Sequence, residues 1–395
     1  MKKPELLIPA SSLEVLKTAV MFGADAVYIG GEAFGLRAKA KNFSHEEMKQ
    51  GIEFAHEHGV RVHVTANILA HNRDLEGAKE YFQEMKELAP DALIVADPGM
   101  FTLAREICPE IDIHISTQAN NTNYMTYLFW YRQGAKRVVS ARELSLAEIR
   151  EIREHIPEEL EIESFIHGAM CISYSGRCLL SSFFTGRDAN QGACTHPCRW
   201  KYSVMEEKRP GEYFEITEDG GTYILNSRDM RMIEHLPELI DAGVSSFKIE
   251  GRMKSAYYAA VVTNAYRHAL DAAIAGRPLE RVWVDETDMV SHRPYTTGFY
   301  FGQPGQHYAE ASYYTSADVA AVVESCDEQG NAVLTQRKMP LLRLFSSQPY
   351  LLLQFYHKRT VCQAGNGEKP CFFISAGAIW TNAARRPAVA YVSPS

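Results

Sequence analysis

The sequence has no apolar stretch that approaches the ~18 residues of a membrane-spanning helix. Near its start, the run Leu6-Leu7-Ile8 is flanked by Pro4 and Pro9 and is too short for the core of a secretion signal. The expected location is therefore the cytoplasm, with no membrane partner, where thiols stay reduced. The sequence also has no HExxH and no GxSxG, which removes the usual zinc-protease and serine-hydrolase signatures. No GxGxxG follows the first predicted strand, which counts against a dinucleotide-binding fold. A net charge of −8 excludes a large nonspecific nucleic-acid surface and leaves room for a local basic patch. Acids nearly vanish after residue 338: Glu368 stands alone against Arg343, Lys358, Arg359, Lys369, Arg385 and Arg386, whereas residues 1–338 hold 48 acids and 35 bases. Residues 339–395 also lack a clear hydrophobic period, so they read as an atypical tail, either disordered or altered in frame.

What is present fits a globular enzyme. The chain of 395 residues is 46% hydrophobic, enough for a large core without cysteine staples. Eight short apolar runs read as buried parallel strands: Leu6 to Pro9, Ala26 to Gly30, Val60 to Ala66, Ala92 to Ala96, Ile111 to Ser116, Arg137 to Ser140, Leu160 to Ile166 and Ser246 to Ile249. Helical patterns separate most of them. Ser44 with Glu47 forms a capping box, Ser145 starts a helix that Pro157 stops, and Asp229 to Gly243 reads as one more helix. Eight strands in this alternation predict an α/β fold, a (β/α)₈ TIM-like barrel over residues 1–285, with a doubly wound open sheet as the rival. One interval breaks the rhythm: a Cys-rich insertion over 167–245, between strands seven and eight, with a small hairpin expected between Tyr202 and Ile224. A small β-rich domain is expected over 286–338, including a hairpin of Val319 to Glu324 with Ala332 to Gln336.

Inside the insertion stand Cys171, Cys178, Cys194 and Cys198, separated by six, fifteen and three residues. Four converging thiolates in a reducing compartment point to a metal or iron–sulfur site. The spacing lacks the CxxC knuckles of structural zinc, whereas a 4Fe–4S cluster tolerates irregular spacing. Zinc and unliganded thiols stay as alternatives. Gly168, Gly176 and Gly192 permit tight turns beside the ligands. Cys108, Cys326, Cys362 and Cys371 stand alone and read as packing residues.

Polar residues at the C-terminal ends of barrel strands line the active-site mouth. Those ends carry Arg37, Asn67, Asp97, Ser116 with Gln118, Arg142 with Glu143, His167, and Glu250 with Arg252. His167, between Glu163 and Cys171, is placed to move a proton, so Glu163, His167 and Glu250 form the candidate catalytic set. Arg37, Asn67, Asp97, Gln118, Arg142 and Arg252 form the candidate substrate-binding set, the arginines as clamps for carboxylate or phosphate. Taken singly, each also reads as a loop cap or a satisfied ion pair. Two basic patches could meet RNA: Arg187, Arg199, Trp200 and Lys201, and Lys136 with Arg137. A solvated surface with a buried tryptophan is the alternative.

The run Glu163-Ser164-Phe165-Ile166-His167-Gly168-Ala169-Met170-Cys171, followed by Gly176-Arg177-Cys178-Leu179-Leu180-Ser181, resembles the signature of peptidase family U32. Asn190-Gln191-Gly192-Ala193-Cys194, Cys198-Arg199 and Phe247-Lys248-Ile249-Glu250-Gly251-Arg252-Met253-Lys254-Ser255 are similar to further motifs of that family. So are Tyr257-Tyr258, Tyr266-Arg267, Ser291-His292-Arg293 and Thr297-Gly298-Phe299. The resemblance spans about residues 4–338 and fails beyond Gln336-Arg337. It implies an iron–sulfur protein that hydroxylates without molecular oxygen. One branch of the family acts on the wobble uridine of tRNA, with prephenate as an implied requirement, and another acts on the ubiquinone ring. The motif wording is most similar to the tRNA branch, so 5-hydroxyuridine formation in tRNA is the expected activity. The alternatives are a collagenase-like peptidase, the family's old label, and a noncatalytic RNA-binding subunit that needs a paralogous partner. With Cys171 or Cys178 as a peptidase nucleophile and His167 as its base, the other cysteines would be idle.

Overall fold

A computed structural model describes residues 3–35, 42–175, 177–200, 203–205, 211, 213–215, 227–305, 313–315, 319–326, 332–336 and 372–375. In chain order its strands are β1 (Glu5–Pro9), β2 (Ala26–Gly30), β3 (Arg61–Ala66), β4 (Ala92–Val95), β5 (Asp112–Ile115), β6 (Arg137–Val139), β7 (Glu161–Ala169), β8 (Ser203–Met205), β9 (Tyr213–Glu215), β10 (Asp229–Arg231), β11 (Ser246–Ile249), β12 (Tyr295–Thr296), β13 (Val319–Cys326), β14 (Ala332–Gln336) and β15 (Phe372–Ser375). Strands β1 to β7 pair in parallel, each with the next, and β11 pairs in parallel with both β1 and β7. The sheet therefore closes into an eight-stranded barrel, which removes the open-sheet rival. All eight expected strands are present.

The surrounding helices are α1 (Leu13–Met21), α2 (His45–Glu57), α3 (Leu75–Leu88), α4 (Pro98–Ile107), α5 (Tyr124–Gln133), α6 (Leu146–His155), α7 (Leu180–Thr185), α8 (Leu236–Asp241), α9 (Ala256–Ile274) and α10 (Arg281–Glu286). The expected capping boxes form at Ser44 with Glu47 and at Ser145 with Glu148. The main core lies between strands and helices, where outward residues such as Ile8, Val27, Val64 and Ile113 meet Leu16, Ile52 and Phe82. Each such side chain contributes about 1.5–3 kcal/mol on burial. Among the described residues, no helix is long and apolar enough to cross a membrane.

The barrel axis is unusually polar. A small apolar group of Leu7, Ala26, Tyr28 and Ile94 faces inward. Beside it, Arg137 is fully buried and bonds Glu161 at 2.6 Å, Glu163 at 3.1 Å, and also Glu5. Lys248 holds the other oxygen of Glu163 at 2.6 Å. Arg137 thus neutralises carboxylates inside the barrel and forms no surface patch with Lys136, because its position on β6 turns inward.

One expected helix begins as a strand and turns helical only from Ile233. Asp229–Arg231 pairs antiparallel with the end of β7, and only Leu236–Asp241 is α-helical. Pro237 is the cause: deep inside a helix its ring would clash with a carbonyl one turn back, whereas the first turn tolerates it. β12 pairs with β10, so residues expected in the small C-terminal domain reach back to the barrel sheet. There Arg293 is buried and bonds Asp229 at 2.7 Å. The β8–β9 pairing gives part of the expected insertion hairpin, while Tyr202 and Tyr223-Ile224 lie outside the described residues. The expected hairpin of β13 with β14 also forms, and β15, from the stretch read as an atypical tail, pairs with β13.

Candidate active site and cysteine cluster

At the C-terminal mouth of the barrel a pocket is lined by Asn67, Gln118, Arg142, Glu250 and Arg252, together with Tyr28, Ser116, Phe165 and Lys248. Five predicted site residues therefore share one cavity. Asn67 Nδ2 donates to Ser116 Oγ at 3.1 Å and to Gln118 Oε1 at 3.3 Å. These bonds hold two side-chain amides as a fixed pair at the rim. Arg252 donates to Thr65 Oγ1 at 3.1 Å and Asn42 Oδ1 at 2.9 Å, which sets its guanidinium across β2 and β3. It fits there because Gly30 has no side chain; a Cβ at that position would overlap the guanidinium. Lys248 lies 4.4 Å from the centre of the Tyr28 ring. Lys248 was absent from the predicted site. A lysine at an inward position of an otherwise apolar strand is the signal that could have found it.

The other predicted residues lie elsewhere. Glu163 is buried in the axial ion network; burial alone would raise its carboxyl, but Lys248 and Arg137 outweigh it and hold it below the usual carboxylate range. His167 lies outside the pocket, among the rings of Tyr258, Tyr266 and Tyr295, with Nδ1 3.3 Å from the Tyr266 hydroxyl. Burial, aided by the charge of Arg231, pushes its imidazole down to about 3. The ring is therefore neutral and screened from substrate, because the β7 irregularity turns it away from the axis. Asp97 caps α4, accepting from Gly99 N at 2.8 Å and Met100 N at 3.0 Å. Arg37 lies outside the described residues.

The cysteine insertion leaves the barrel from the end of β7. Gly168 has φ +106°, and a Cβ there would lie 2.5 Å from the Glu250 carbonyl oxygen. This close approach requires glycine and ties the start of the cysteine loop to the pocket wall. Arg142 reaches the same loop, donating to Ala169 O at 3.0 Å and Ser175 Oγ at 2.7 Å. Asn120 Nδ2 donates to Ser175 O at 3.1 Å, and Leu69 N to Asn190 O at 3.3 Å. The loops after β3, β5 and β6 thus hold the insertion over the mouth. Within it, buried Ser181 accepts from Thr195 N at 3.1 Å, joining α7 to the Cys194–Cys198 turn.

All four cysteines of the insertion are half-buried and free of disulfides. Burial pushes the Cys198 thiol up to about 11; the charge of Arg199 opposes the shift, and the neighbouring Cys171, Cys194 and Cys178 add to it. Cys171 moves the other way: burial opposes ionisation, but Arg142 and the hydrogen bonds of Ser173 outweigh it. Among the described residues, no three cysteine sulfurs lie within 4.8 Å of one another. The trio His63, His114 and Glu163 does lie within 4.8 Å. It makes a poor cation site, because Arg137 and Lys248 already hold both oxygens of Glu163.

Comparison with known proteins places this geometry in context. The chain is 41% identical over 343 residues to tRNA hydroxylation protein P1 of Bacillus subtilis, covering 85% of this chain and 81% of that one. It is 43% identical over 339 residues to tRNA hydroxylation protein P of Escherichia coli, covering 76% and 75%. A third relative, at 35% over 342 residues, is the Escherichia coli 23S rRNA 5-hydroxycytidine C2501 synthase, covering 84% and 50%. Residues 11–310 match the family model of peptidase family U32. The chain belongs to peptidase family U32.

Proposed function

We propose that the protein is an RNA-modifying hydroxylase that forms 5-hydroxyuridine at a wobble uridine of tRNA without molecular oxygen. The observation that carries this reading is the insertion with its four cysteines, tethered by hydrogen bonds over the mouth of a polar barrel pocket. The names of the relatives agree: two are tRNA hydroxylation proteins, and a third is a synthase of a 5-hydroxylated pyrimidine. Cys171, Cys178, Cys194 and Cys198 would hold a 4Fe–4S cluster, which supplies one-electron transfer when bound.

The chain's own residues do the rest. A uridine splayed from its loop enters the pocket, where the Asn67–Gln118 amide pair reads the polar edge of the ring. Arg142 and Arg252 hold a carboxylate co-substrate, prephenate by family resemblance. Glu250, half-buried beside Tyr28, is the pocket's carboxylate and is placed to hold a proton beside the base. His167 is too deeply buried to act as the base of a cysteine peptidase.

The test is mass spectrometry of tRNA nucleosides from a strain deleted for the protein and its redundant pathways. Hydroxyuridine should disappear and return with the wild-type chain, and not with Glu250→Gln or Cys178→Ser. Unchanged hydroxyuridine in the deletion strain would overturn the assignment.

A further inference from the structure

The cysteine insertion presents rings to solvent. Phe183 is 82% exposed and Phe184 54%, both on the short helix α7, with Tyr174, Leu179 and Trp200 also exposed around them. Phe184 and Trp200 stand 5.9 Å apart, centre to centre. Such apolar groups on an otherwise polar rim mark an interaction face. Charge says what covers it. From 172 to 201 the sequence holds Arg177, Arg187, Arg199 and Lys201 against a single acid, Asp188, in a chain of net charge −8. The Asp188 carboxylate is engaged as the cap of the turn that follows, accepting from Asn190 N at 2.7 Å. Arg199 donates to the exposed Tyr313 hydroxyl at 2.8 Å, so cation and ring alternate beside the loop.

The geometry points to α7 and its flanks as a stacking platform for unpaired RNA nucleotides next to the base in the pocket. This rests on the hydroxylase reading and adds where the rest of the loop is held. Rings interleaved with arginines bind single strands through base stacking and phosphate contacts. A protein partner would also cover apolar side chains, but it would not require aromatic faces. Leucine at position 183 therefore separates the two occupants.

The experiment measures binding of anaerobically prepared holoprotein to a fluorescein-labelled anticodon stem-loop and to a blunt duplex of the same stem. Phe183→Ala should weaken stem-loop binding by about five- to 150-fold, the loss of one stacked base. Phe183→Leu should weaken it as much, Phe183→Trp should retain it, and duplex binding should not change. Phe183 is exposed, so these variants leave the core intact, and unchanged iron content verifies this. Equal stem-loop affinity in all variants would overturn the platform. Retained affinity in Phe183→Leu, or a shift in sedimentation without a change in RNA binding, would assign the face to a protein contact instead. The two levels of failure are distinct. Wild-type protein that hydroxylates tRNA while Phe183→Ala does so equally sinks the platform alone; wild-type protein that neither binds the loop nor restores hydroxyuridine sinks the hydroxylase reading.

Discussion

Replacing Gly168 with alanine tests how the barrel positions the cysteine loop. Two costs add. At φ +106° an L-residue is strained by roughly 1–2 kcal/mol. The new Cβ would also sit 2.5 Å from the Glu250 carbonyl oxygen and 3.0 Å from the Glu250 Cβ, so β7 and β11 must part, at about 1–3 kcal/mol. The smaller conformational freedom of alanine in the unfolded chain returns about 0.4–1 kcal/mol. The net loss is about 1–4.6 kcal/mol, a fall in melting temperature of roughly 1–6 °C for a chain of this size. Gly186→Ala is the control: its φ is +67° and a Cβ there meets nothing within 4 Å, so only the backbone cost applies. Differential scanning fluorimetry of the two variants isolates the steric part. The displacement of Glu250 and Cys171 should also lower iron content in Gly168→Ala and not in Gly186→Ala. Equal melting temperatures and equal iron in both would refute the close approach of β7 to β11.

Further outcomes follow from the buried charges and the rim. Arg137→Met strands Glu5, Glu161 and Glu163 without their shared cation and should cost about 3–5 kcal/mol in urea unfolding; a wild-type midpoint would contradict the axial network. His167 takes up a proton near 6.5 in the unfolded chain but only near 3 when folded, so its contribution is complete above pH 6.5 and fades as pH falls towards 3. At pH 4.5 the loss is about 3 kcal/mol; His167→Phe should remove that part of the pH slope, and an unchanged slope would show that the ring is not buried neutral. Arg142→Met removes two charged hydrogen bonds to the cysteine loop, and chelator-driven iron release should speed up by at least about tenfold.

The barrel was legible because its strands are short apolar runs between capped helices, and those signals are local. The helix expected over Asp229 to Gly243 forms only from Ile233, because its apolar spacing suited a helix throughout while Pro237 is tolerated only in a first turn. Pairing with β7, a contact far away in sequence, decided the outcome. The four cysteines stand out in sequence by ligand type and by their place in one βα interval, and the structure puts that interval over the barrel mouth. Side-chain direction was not: Arg137 starts β6 and Glu163 and His167 lie within β7, yet two face the axis and the third faces the outer aromatic cluster. Charged residues at inward alternation on β1, β6, β7 and β11 could have flagged the network, since Glu5, Arg137, Glu163 and Lys248 fall on that face. The exposed rings of α7 were silent in sequence, where Phe183 and Phe184 look like core.

The most direct measurement is the iron and acid-labile sulfide content of protein purified without oxygen, wild type beside single Cys→Ser variants at 171, 178, 194 and 198. A single cluster predicts about four iron and four sulfide per wild-type chain, with a marked loss in every variant. A colourless wild-type protein holding zinc, or cluster content untouched by these substitutions, would contradict it.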